Sequence, residues 1–414
     1  MYKRSKKIDN MSSGILALWL TLILFVNIAS HFYFNGEETS SGLYADFLAL
    51  IWPFPFFFAK KNFRESIRTL LGNHKFFLFM FLYMMSSFLS IINSPLPLIS
   101  LGYFAGTFIG LLYSYMFMSS MASDEIIKGF VVFSFFAALI LVAFAAHVGL
   151  DDKGRLSSEI YNPNPVGLVC VSVIMAALLS RNKIMFLFAI STAIVLYYSD
   201  SRTSIMALFI GLASWAVFKR KRGFSSLTMS CIFFGIAFLM VYVFFNADSI
   251  IRAIDNLFAV NDKWRGVGTG FTGRMEAWKE ALSIFWSSPL FGVGFRMHEH
   301  YMTTASSAHN GYLAVLADTG VTGSVVLFGF IWLSLFNYLN CTRDVLDFWA
   351  IGIICGYLFV GLFERYILNV GNPTSLIVMM MLVRGFSLKS RRPRQHEEKV
   401  DEYNCNVDVL PSTR

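Results

Sequence analysis

Apolar runs of roughly 16 to 26 residues recur along most of the chain, and they restrict its fold more than any other feature. An α-helix rises 1.5 Å per residue, so about 20 apolar residues cross the roughly 30 Å of bilayer hydrocarbon. Short polar turns separate the runs, and one long polar stretch begins at Asn246. This pattern predicts an all-α integral membrane protein with about twelve transmembrane helices and one long external loop.

The second, seventh, eighth and last of the twelve predicted spans are short. The spans lie near residues 13–34, 43–59, 75–93, 96–118, 127–149, 164–180, 184–199, 203–218, 226–245, 311–338, 346–363 and 373–388. Residues 1–245 then hold nine transmembrane helices, 246–310 a loop with short helices, 311–388 three more helices and 389–414 a disordered cytoplasmic tail. The first run is too long for the core of a signal peptide, so it is expected to remain as a helix.

The composition excludes an ordinary soluble globular protein. Of the 414 residues, 56% are hydrophobic and only 14% are charged, and the mean hydropathy is +0.58. The net charge of +8 is expected to reflect basic loops facing membrane lipids, and not a nucleic-acid partner. The five cysteines show neither a zinc-ligand spacing nor a disulfide framework.

Lysine and arginine predict how the helices are oriented. With a cytoplasmic amino terminus, the inner segments hold 24 of the 34 basic residues, including the run Lys219–Arg222. Cytoplasmic loops are enriched in these residues, so both termini are predicted to be cytoplasmic and the long loop external. Seven of the ten basic residues left outside are arginines, whose planar guanidinium binds phosphate oxygens in a bidentate manner. Acidic neighbours can neutralise most of these charges. Only an arginine whose own position in the chain is informative can therefore indicate a phosphate-bearing ligand.

Arg202 lies in a turn of only a few residues, Ser199–Ser204, on the predicted outer side. So short a connection keeps its side chain near the depth of the lipid headgroups. Two interpretations stay open. The guanidinium either pairs with Asp200 or with lipid phosphate, or it binds the phosphate of a lipid-linked substrate.

Arg274 opens a predicted amphipathic helix that is capped by Thr272 and ended by Ser288-Pro289. The helix runs from about 272 to 286, with an apolar stripe of Met275, Trp278, Leu282 and Phe285. Arg274 lies on the edge of this stripe and close to the positive amino end of the helix, where an anion is favoured. The alternative is an ordinary contact, either with an i,i+4 partner or with the ring of Trp278.

His309 stands where the long loop re-enters the membrane. Histidine changes its protonation near neutral pH, so it suits the removal of a proton from a sugar hydroxyl, although a loop histidine is more often structural. Asn310 is placed to cap the helix that follows. Gly320 and Gly323 are expected to let that helix pack closely against a neighbour.

Two further groups of ionisable residues have weaker signals. His298 and His300 flank Glu299, but no third ligand at a fixed spacing supports a metal site, so neither a metal nor a cofactor is expected. Asp318 lies within an apolar run. It is expected to face the interior of the bundle or a cavity, with Arg202 or Arg365 as its partner.

Taken together, these motifs resemble the O-antigen ligase and O-antigen or exopolysaccharide polymerase superfamily of bacterial membrane glycosyltransferases. The resemblance rests on the twelve-span layout and on Asn162-Pro163-Asn164, Ser201–Ser204, Gly273-Arg274-x-x-x-Trp278, Pro289–Gly294 and His309-Asn310-x9-Gly320-x-x-Gly323. It implies a fold like that of the type C glycosyltransferases. It also implies a multi-pass protein of the bacterial inner membrane whose active site faces the periplasm.

The resemblance further implies the reaction. A glycan moves from undecaprenyl diphosphate to a hydroxyl of a lipid-anchored or glycan acceptor, with inversion at the anomeric carbon and without a metal or cofactor. Residues that match Arg202 and Arg274 engage the diphosphate, and the residue that matches His309 acts as the base. This agrees with elementary chemistry, because diphosphate is a good leaving group that needs only charge stabilisation. The expected supporting residues are Trp278, Asn310, Asp318, Gly320, Gly323 and Arg365.

Several alternatives stay open. Only 34 residues separate Arg274 from His309, which is compact for a ligase that holds a bulky lipid A-core acceptor, so a polymerase of lipid-linked repeat units also fits. A transporter or flippase fits twelve spans too, but it is expected to carry broken helices and ionisable groups near mid-membrane. Apart from Asp318, the notable charges here lie at the outer rim. A non-catalytic assembly partner would leave Arg202, Arg274 and His309 without a role.

Overall fold

The computed structural model describes residues 2–33, 47–55, 73–150, 156, 163–180, 182–220, 267–341, 344–365 and 367–388. Within these residues the regular secondary structure is helical, without strands. The predicted span at 226–245 and the predicted disordered tail lie outside the described residues, as do residues 43–46 and 56–59 of the predicted span at 43–59.

The α-helices of the described part follow the predicted spans closely, and most of their ends fall within four residues of the predicted ones. They are α1 (Tyr2–Tyr33), α2 (His74–Ile91), α3 (Pro97–Ser120), α4 (Ser123–Val148), α5 (Pro163–Ala177), α6 (Lys183–Tyr198), α7 (Arg202–Arg220), α8 (Val267–Ser287), α9 (Gly311–Cys341), α10 (Val345–Val360) and α11 (Pro373–Ser387). A short 3₁₀ helix, His298–Tyr301, lies between α8 and α9.

Six of the described helices are long and apolar enough to cross a membrane: α1, α2, α3, α4, α7 and α9. Four others, α5, α6, α10 and α11, are apolar but shorter. An α-helical membrane protein is therefore confirmed. The count of twelve spans, the orientation and the division of the chain into segments stay predictions.

Helix α11 is the centre of the bundle. All its residues from Pro373 to Gly385 are buried, and it packs against α1, α2, α3, α5, α9 and α10. A helix that is apolar on every side belongs in the interior of a bundle. The surrounding helices keep one face for α11 and its neighbours and expose the other, as helices in contact with lipid do.

Among the described helices, α7 and α10 pack against each other most extensively. A Cβ placed on Gly352 would lie 2.6 Å from the carbonyl oxygen of Gly211, and one on Gly356 would lie 2.7 Å from that of Ala207. Small residues at such an interface let the two backbones approach each other. Because Gly211 faces Gly352 and Ala207 faces Gly356, the two helices are antiparallel, and the start of α7 lies level with the end of α10.

A buried arginine joins three helix ends at the other end of the bundle. The Arg384 side chain is 4% exposed and donates to Asp347 Oδ1 (2.8 Å), Asp344 Oδ2 (3.0 Å) and Ser123 Oγ (3.1 Å). These acceptors belong to the first turns of α10 and α4. Arg384 can lie inside the bundle because its counter-ions come from the start of α10, a helix that packs beside α11.

We expect Asp347→Asn to destabilise the fold strongly. Asp347 is fully buried, and the change removes one of the two carboxylates that face the buried Arg384. The loss of a buried hydrogen bond to a charged group costs about 1.5–3 kcal/mol. Thermal unfolding of the protein in detergent measures this. Asp124→Asn is the matched control, because Asp124 is exposed in the first turn of α4. Equal melting temperatures for the two variants would contradict the prediction.

Candidate active site

The start of α9 fixes the position of His309. Asn310 caps the helix as predicted, since its Oδ1 accepts hydrogen bonds from Tyr312 N (3.0 Å) and Leu313 N (3.1 Å). Gly311 N donates to Gly361 O (2.8 Å) in the turn after α10, and a Cβ on Gly311 would lie 2.7 Å from Ile367. The amino end of α9 is therefore docked on the segment that follows α10.

His309 itself is half-buried and adopts a left-handed backbone conformation with φ of 44°. Its carbonyl oxygen accepts a long hydrogen bond from Trp278 Nε1 (3.5 Å), and its backbone N donates to Ser307 Oγ (3.4 Å). A positive φ is costly for a residue with a side chain, and such strain concentrates at functional sites. The strain is held by the cap on one side and by α8 on the other.

Arg274 reaches the turn that follows α10. Its Nη2 lies 3.7 Å from Glu364 Oε1, and its guanidinium carbon lies 5.8 Å from the centre of the Phe363 ring. The ring beneath Arg274 is thus Phe363 and not Trp278, the ring proposed as an alternative from the sequence. The side chain stays 26% exposed, so it is partly accessible to a ligand.

Helix α8 differs in two ways from the predicted helix. It begins at Val267, so Thr272 lies inside it and does not cap it. Its most deeply buried positions are Ala277 and Ala281, both fully buried, whereas Trp278 is only half-buried. Arg274 therefore lies on the buried face of α8 and not at its edge. The end of the helix at Ser287 agrees with the prediction.

Glu364 is the site residue that the sequence analysis missed. Its side chain is 8% exposed, and its Oε1 accepts a hydrogen bond from Asn164 Nδ2 (2.8 Å) as well as the contact from Arg274. Asn164 stands at the start of α5, in the Asn-Pro-Asn motif that carried part of the resemblance. A carboxylate directly after a predicted span was the available signal. Its partners are 200 and 90 residues away, so periodicity did not point to it.

The electrostatic environment keeps His309 neutral. Burial lowers the pKa of His309, and the nearby cations Arg274 and Arg365 lower it further, against a smaller opposite effect of Glu299. Arg365 forms an ion pair with Glu299 at this same turn. A histidine that is unprotonated at neutral pH has a free lone pair, which is the form that accepts a proton.

Arg202 lies at the same end of the bundle but on a different helix. It is the first residue of α7, and the neighbouring Ser201 lies against Gly167, where a Cβ would come within 2.8 Å of the Ser201 side chain. Gly167 is one turn after Asn164. The Arg202 side chain is exposed, and within the described part of the chain it makes no ion pair, so pairing with Asp200 is not seen there.

Helix α9 is interrupted at Gly320, which has φ of 63°. The loop after α8 fills the interruption: Val321 N donates to Pro289 O (2.9 Å), Thr322 N to Leu290 O (3.3 Å), and Val293 N to Ala317 O (3.0 Å). A Cβ on Gly320 would lie 2.4 Å from the Leu290 backbone. The Pro289–Gly294 motif is therefore the segment that completes a broken helix.

Gly323 performs the packing role that was predicted for both glycines. A Cβ there would lie 3.3 Å from Ser86 Oγ of α2, so α9 approaches α2 closely at this point. Gly320 instead supplies the left-handed conformation of the interruption, which glycine adopts without steric cost.

Asp318 has a different partner from the one expected. Its Oδ1 accepts hydrogen bonds from Met297 N, His298 N and His298 Nδ1, each at 2.9 Å. The expectation of Arg202 or Arg365 as the partner was wrong, because donors from the loop after α8 already occupy the Asp318 carboxylate. Burial would lower the pKa of His298, but the facing carboxylate of Asp318 raises it above its usual value. Asp318 thus anchors the loop next to the break in α9.

The three residues His298, Glu299 and His300 do not converge. His298 is buried against Asp318, Glu299 pairs with Arg365, and the His300 side chain is exposed. Among the residues that the structure describes, no group of three or more His, Cys, Asp and Glu side chains is arranged to hold a metal ion.

The segment that holds these residues is similar to a known protein family. The family model of O-antigen ligase matches residues 184–328, the segment that contains Arg202, Arg274 and His309. No curated protein sequence matches the chain. The family match covers α6 through the first half of α9 and so includes the broken helix together with the loop that fills it. The match over these residues therefore supports a relation of this part of the chain to the O-antigen ligase superfamily.

Proposed function

We propose that this protein transfers a glycan from undecaprenyl diphosphate to an acceptor hydroxyl at the periplasmic face of the bacterial inner membrane. The proposal rests on one observation: Arg274 and a neutral His309 both lie at the turn after α10. Glu364 in that turn contacts Arg274 of α8 and Asn164 of α5. The family match supports activity of the ligase or polymerase type. The donor, the acceptor and the cellular face belong to the proposal.

In this mechanism His309 accepts the proton of the acceptor hydroxyl as the oxygen attacks the anomeric carbon. The bond from that carbon to the diphosphate oxygen breaks, and the leaving group departs with the electron pair, so the configuration is inverted. Arg274 and Arg202 stabilise the negative charge that develops on the diphosphate. Because the leaving group needs no proton, this chemistry calls for one base and no metal.

Glu364 has a positioning role in this proposal. Its carboxylate holds Arg274 from one side while Asn164 holds the carboxylate from the other. The 3.7 Å separation from Arg274 is longer than a tight ion pair. An incoming diphosphate, which carries more charge, therefore competes well for the guanidinium.

A transporter is the alternative that the break in α9 favours, because discontinuous helices form the substrate sites of many transporters. Here, however, the backbone groups around Gly320 are bonded to Pro289, Leu290 and Val293 of the same chain. In a transporter such groups face the substrate. The filled break therefore supports the enzyme over the transporter.

We expect His309→Ala to abolish glycan transfer, because the acceptor hydroxyl loses its base. The measurement is complementation of a deletion strain, with lipid-bound and acceptor-bound glycan analysed separately. His300→Ala is the matched control, since His300 is exposed. Full-length chains stranded on lipid in the deletion strain identify a ligase, and stranded single repeat units identify a polymerase. Transfer by His309→Ala at the parent rate would overturn the base assignment.

We expect Arg202→Lys and Arg274→Lys each to slow transfer by about tenfold or more, although both keep the charge. Lysine lacks the planar fork that binds two phosphate oxygens, and loss of one donor to a developing anion costs about 10²–10³ in rate. Initial rates with lipid-linked glycan extracted from the deletion strain measure this. Lys279→Arg, a change that also keeps the charge at an exposed position of α8, is the control and is expected to leave the rate unchanged. Parent-like rates in both lysine variants would remove the diphosphate role.

We expect transfer by the purified protein to fall on acidification with a midpoint below pH 6.5, the ordinary histidine pKa. The reason is that burial, Arg274 and Arg365 lower the pKa of His309, so its neutral form persists to lower pH. A pH–rate profile with saturating lipid-linked glycan measures the midpoint. Among the described residues, Glu299 is the neighbouring charge that raises this pKa, so Glu299→Gln is expected to move the midpoint lower still. A midpoint above that of free histidine would contradict the assignment.

A further inference from the structure

We propose that Glu280 is a positioning residue that ties the loop leading to His309 to the helix that carries Arg274. This inference rests on the proposed function, in which Arg274 and His309 act on one substrate. Glu280 does not touch the reacting groups. It sets the relative position of the two that do.

The Glu280 carboxylate accepts four hydrogen bonds. Its Oε1 accepts hydrogen bonds from Thr303 N (2.6 Å) and Thr303 Oγ1 (2.7 Å), while its Oε2 accepts from Thr304 N (3.1 Å) and Thr304 Oγ1. A carboxylate has about four lone-pair positions, so these four donors fill it. Slight burial raises the pKa of Glu280, but the hydrogen bonds from Thr304 and Thr303 lower it to about 2. The carboxylate therefore stays ionised at every physiological pH.

The path of the chain connects this clamp to His309. Four residues lie between Thr304 and His309 along the sequence, and Ala308 packs against Ala281, the residue next to Glu280. Trp278 Nε1 donates to His309 O (3.5 Å). Residues within about one turn of α8 thus hold the loop near its start and at its end.

Arg274 belongs to the same helix, six residues before Glu280. At 1.5 Å per residue the two lie about 9 Å apart along the helix axis. Because α8 is a continuous helix between them, any contact that fixes the loop on α8 also fixes His309 relative to Arg274. Thr303 and Thr304 are exposed, so the clamp and not burial holds the first part of the loop.

Two glutamates on α8 provide a matched comparison. Glu280 carries the four hydrogen bonds, whereas Glu276, one turn closer to Arg274, is exposed and makes no hydrogen bond or ion pair with the described part of the chain. Replacement of either by glutamine removes the same charge from the same helix. Only Glu280→Gln also replaces a carboxylate oxygen by an amide that faces donors.

We expect Glu280→Gln to lower kcat by about 10- to 100-fold with little change in the KM for the donor, because a misplacement of about 1 Å costs on that order. The substrate is lipid-linked glycan extracted from the deletion strain. The acid limb of the kcat profile is expected to move up toward the ordinary histidine value as His309 leaves its buried position. Glu276→Gln is expected to behave as the parent protein. A raised KM with unchanged kcat, or parent kinetics for Glu280→Gln, would overturn the role of Glu280.

A second pair of measurements does not depend on turnover. Ser307 is 3% exposed, so a Ser307→Cys thiol is expected to react slowly with a membrane-impermeant maleimide and several-fold faster when Glu280→Gln is added. The parent chain with its own cysteines is the blank. Thr303→Val with Thr304→Val removes two of the four donors and is expected to act in the same direction, more weakly. Equal labelling in the presence and absence of Glu280→Gln would show that the clamp does not hold the loop.

The two hypotheses fail separately. A fully active His309→Ala would overturn the proposed function whatever Glu280→Gln does. An inactive His309→Ala together with a fully active Glu280→Gln would overturn only the positioning role.

Discussion

The site depends on the contact between the break in α9 and the loop that fills it. An interrupted helix leaves backbone groups unpaired, and each one costs about 1–3 kcal/mol when it is buried without a partner. Val321 N and Ala317 O find those partners in Pro289 and Val293, and Gly292 and Gly320 permit the close approach. Because α8 ends directly before this loop and His309 lies next to the residue that caps α9, the position of the loop also fixes Arg274 and His309 relative to each other.

At the end of the bundle that holds His309, two neighbouring arginines favour the neutral form of the imidazole. Arg274 and Arg365 each face a carboxylate, Glu364 and Glu299 respectively, yet together they still lower the pKa of His309. A cationic surface next to an unprotonated histidine suits a reaction in which a hydroxyl loses a proton while a diphosphate leaves. In the proposed mechanism the same groups serve the nucleophile and the leaving group.

The two ends of the bundle differ in how their charges are held. Arg384 is buried with its counter-ions in the first turns of neighbouring helices, which fixes α4, α10 and α11 to one another. At the other end, the guanidinium groups of Arg202 and Arg274 keep exposed surface. A rigid scaffold that presents partly open polar groups is the arrangement that a preorganised site requires.

The amino-acid sequence by itself determined what depends on neighbours within a turn or two. Apolar runs predicted the helices to within a few residues, Asn310 was recognised as a cap, and the motifs around Arg202, Arg274 and His309 indicated the family. Tertiary structure decided the partners. Glu364 joins Asn164 to Arg274, Asp318 binds His298, and Phe363 lies beneath Arg274. Helix formation and capping are local, whereas the choice of a polar partner depends on which distant helices pack side by side, and no short-range pattern encodes that.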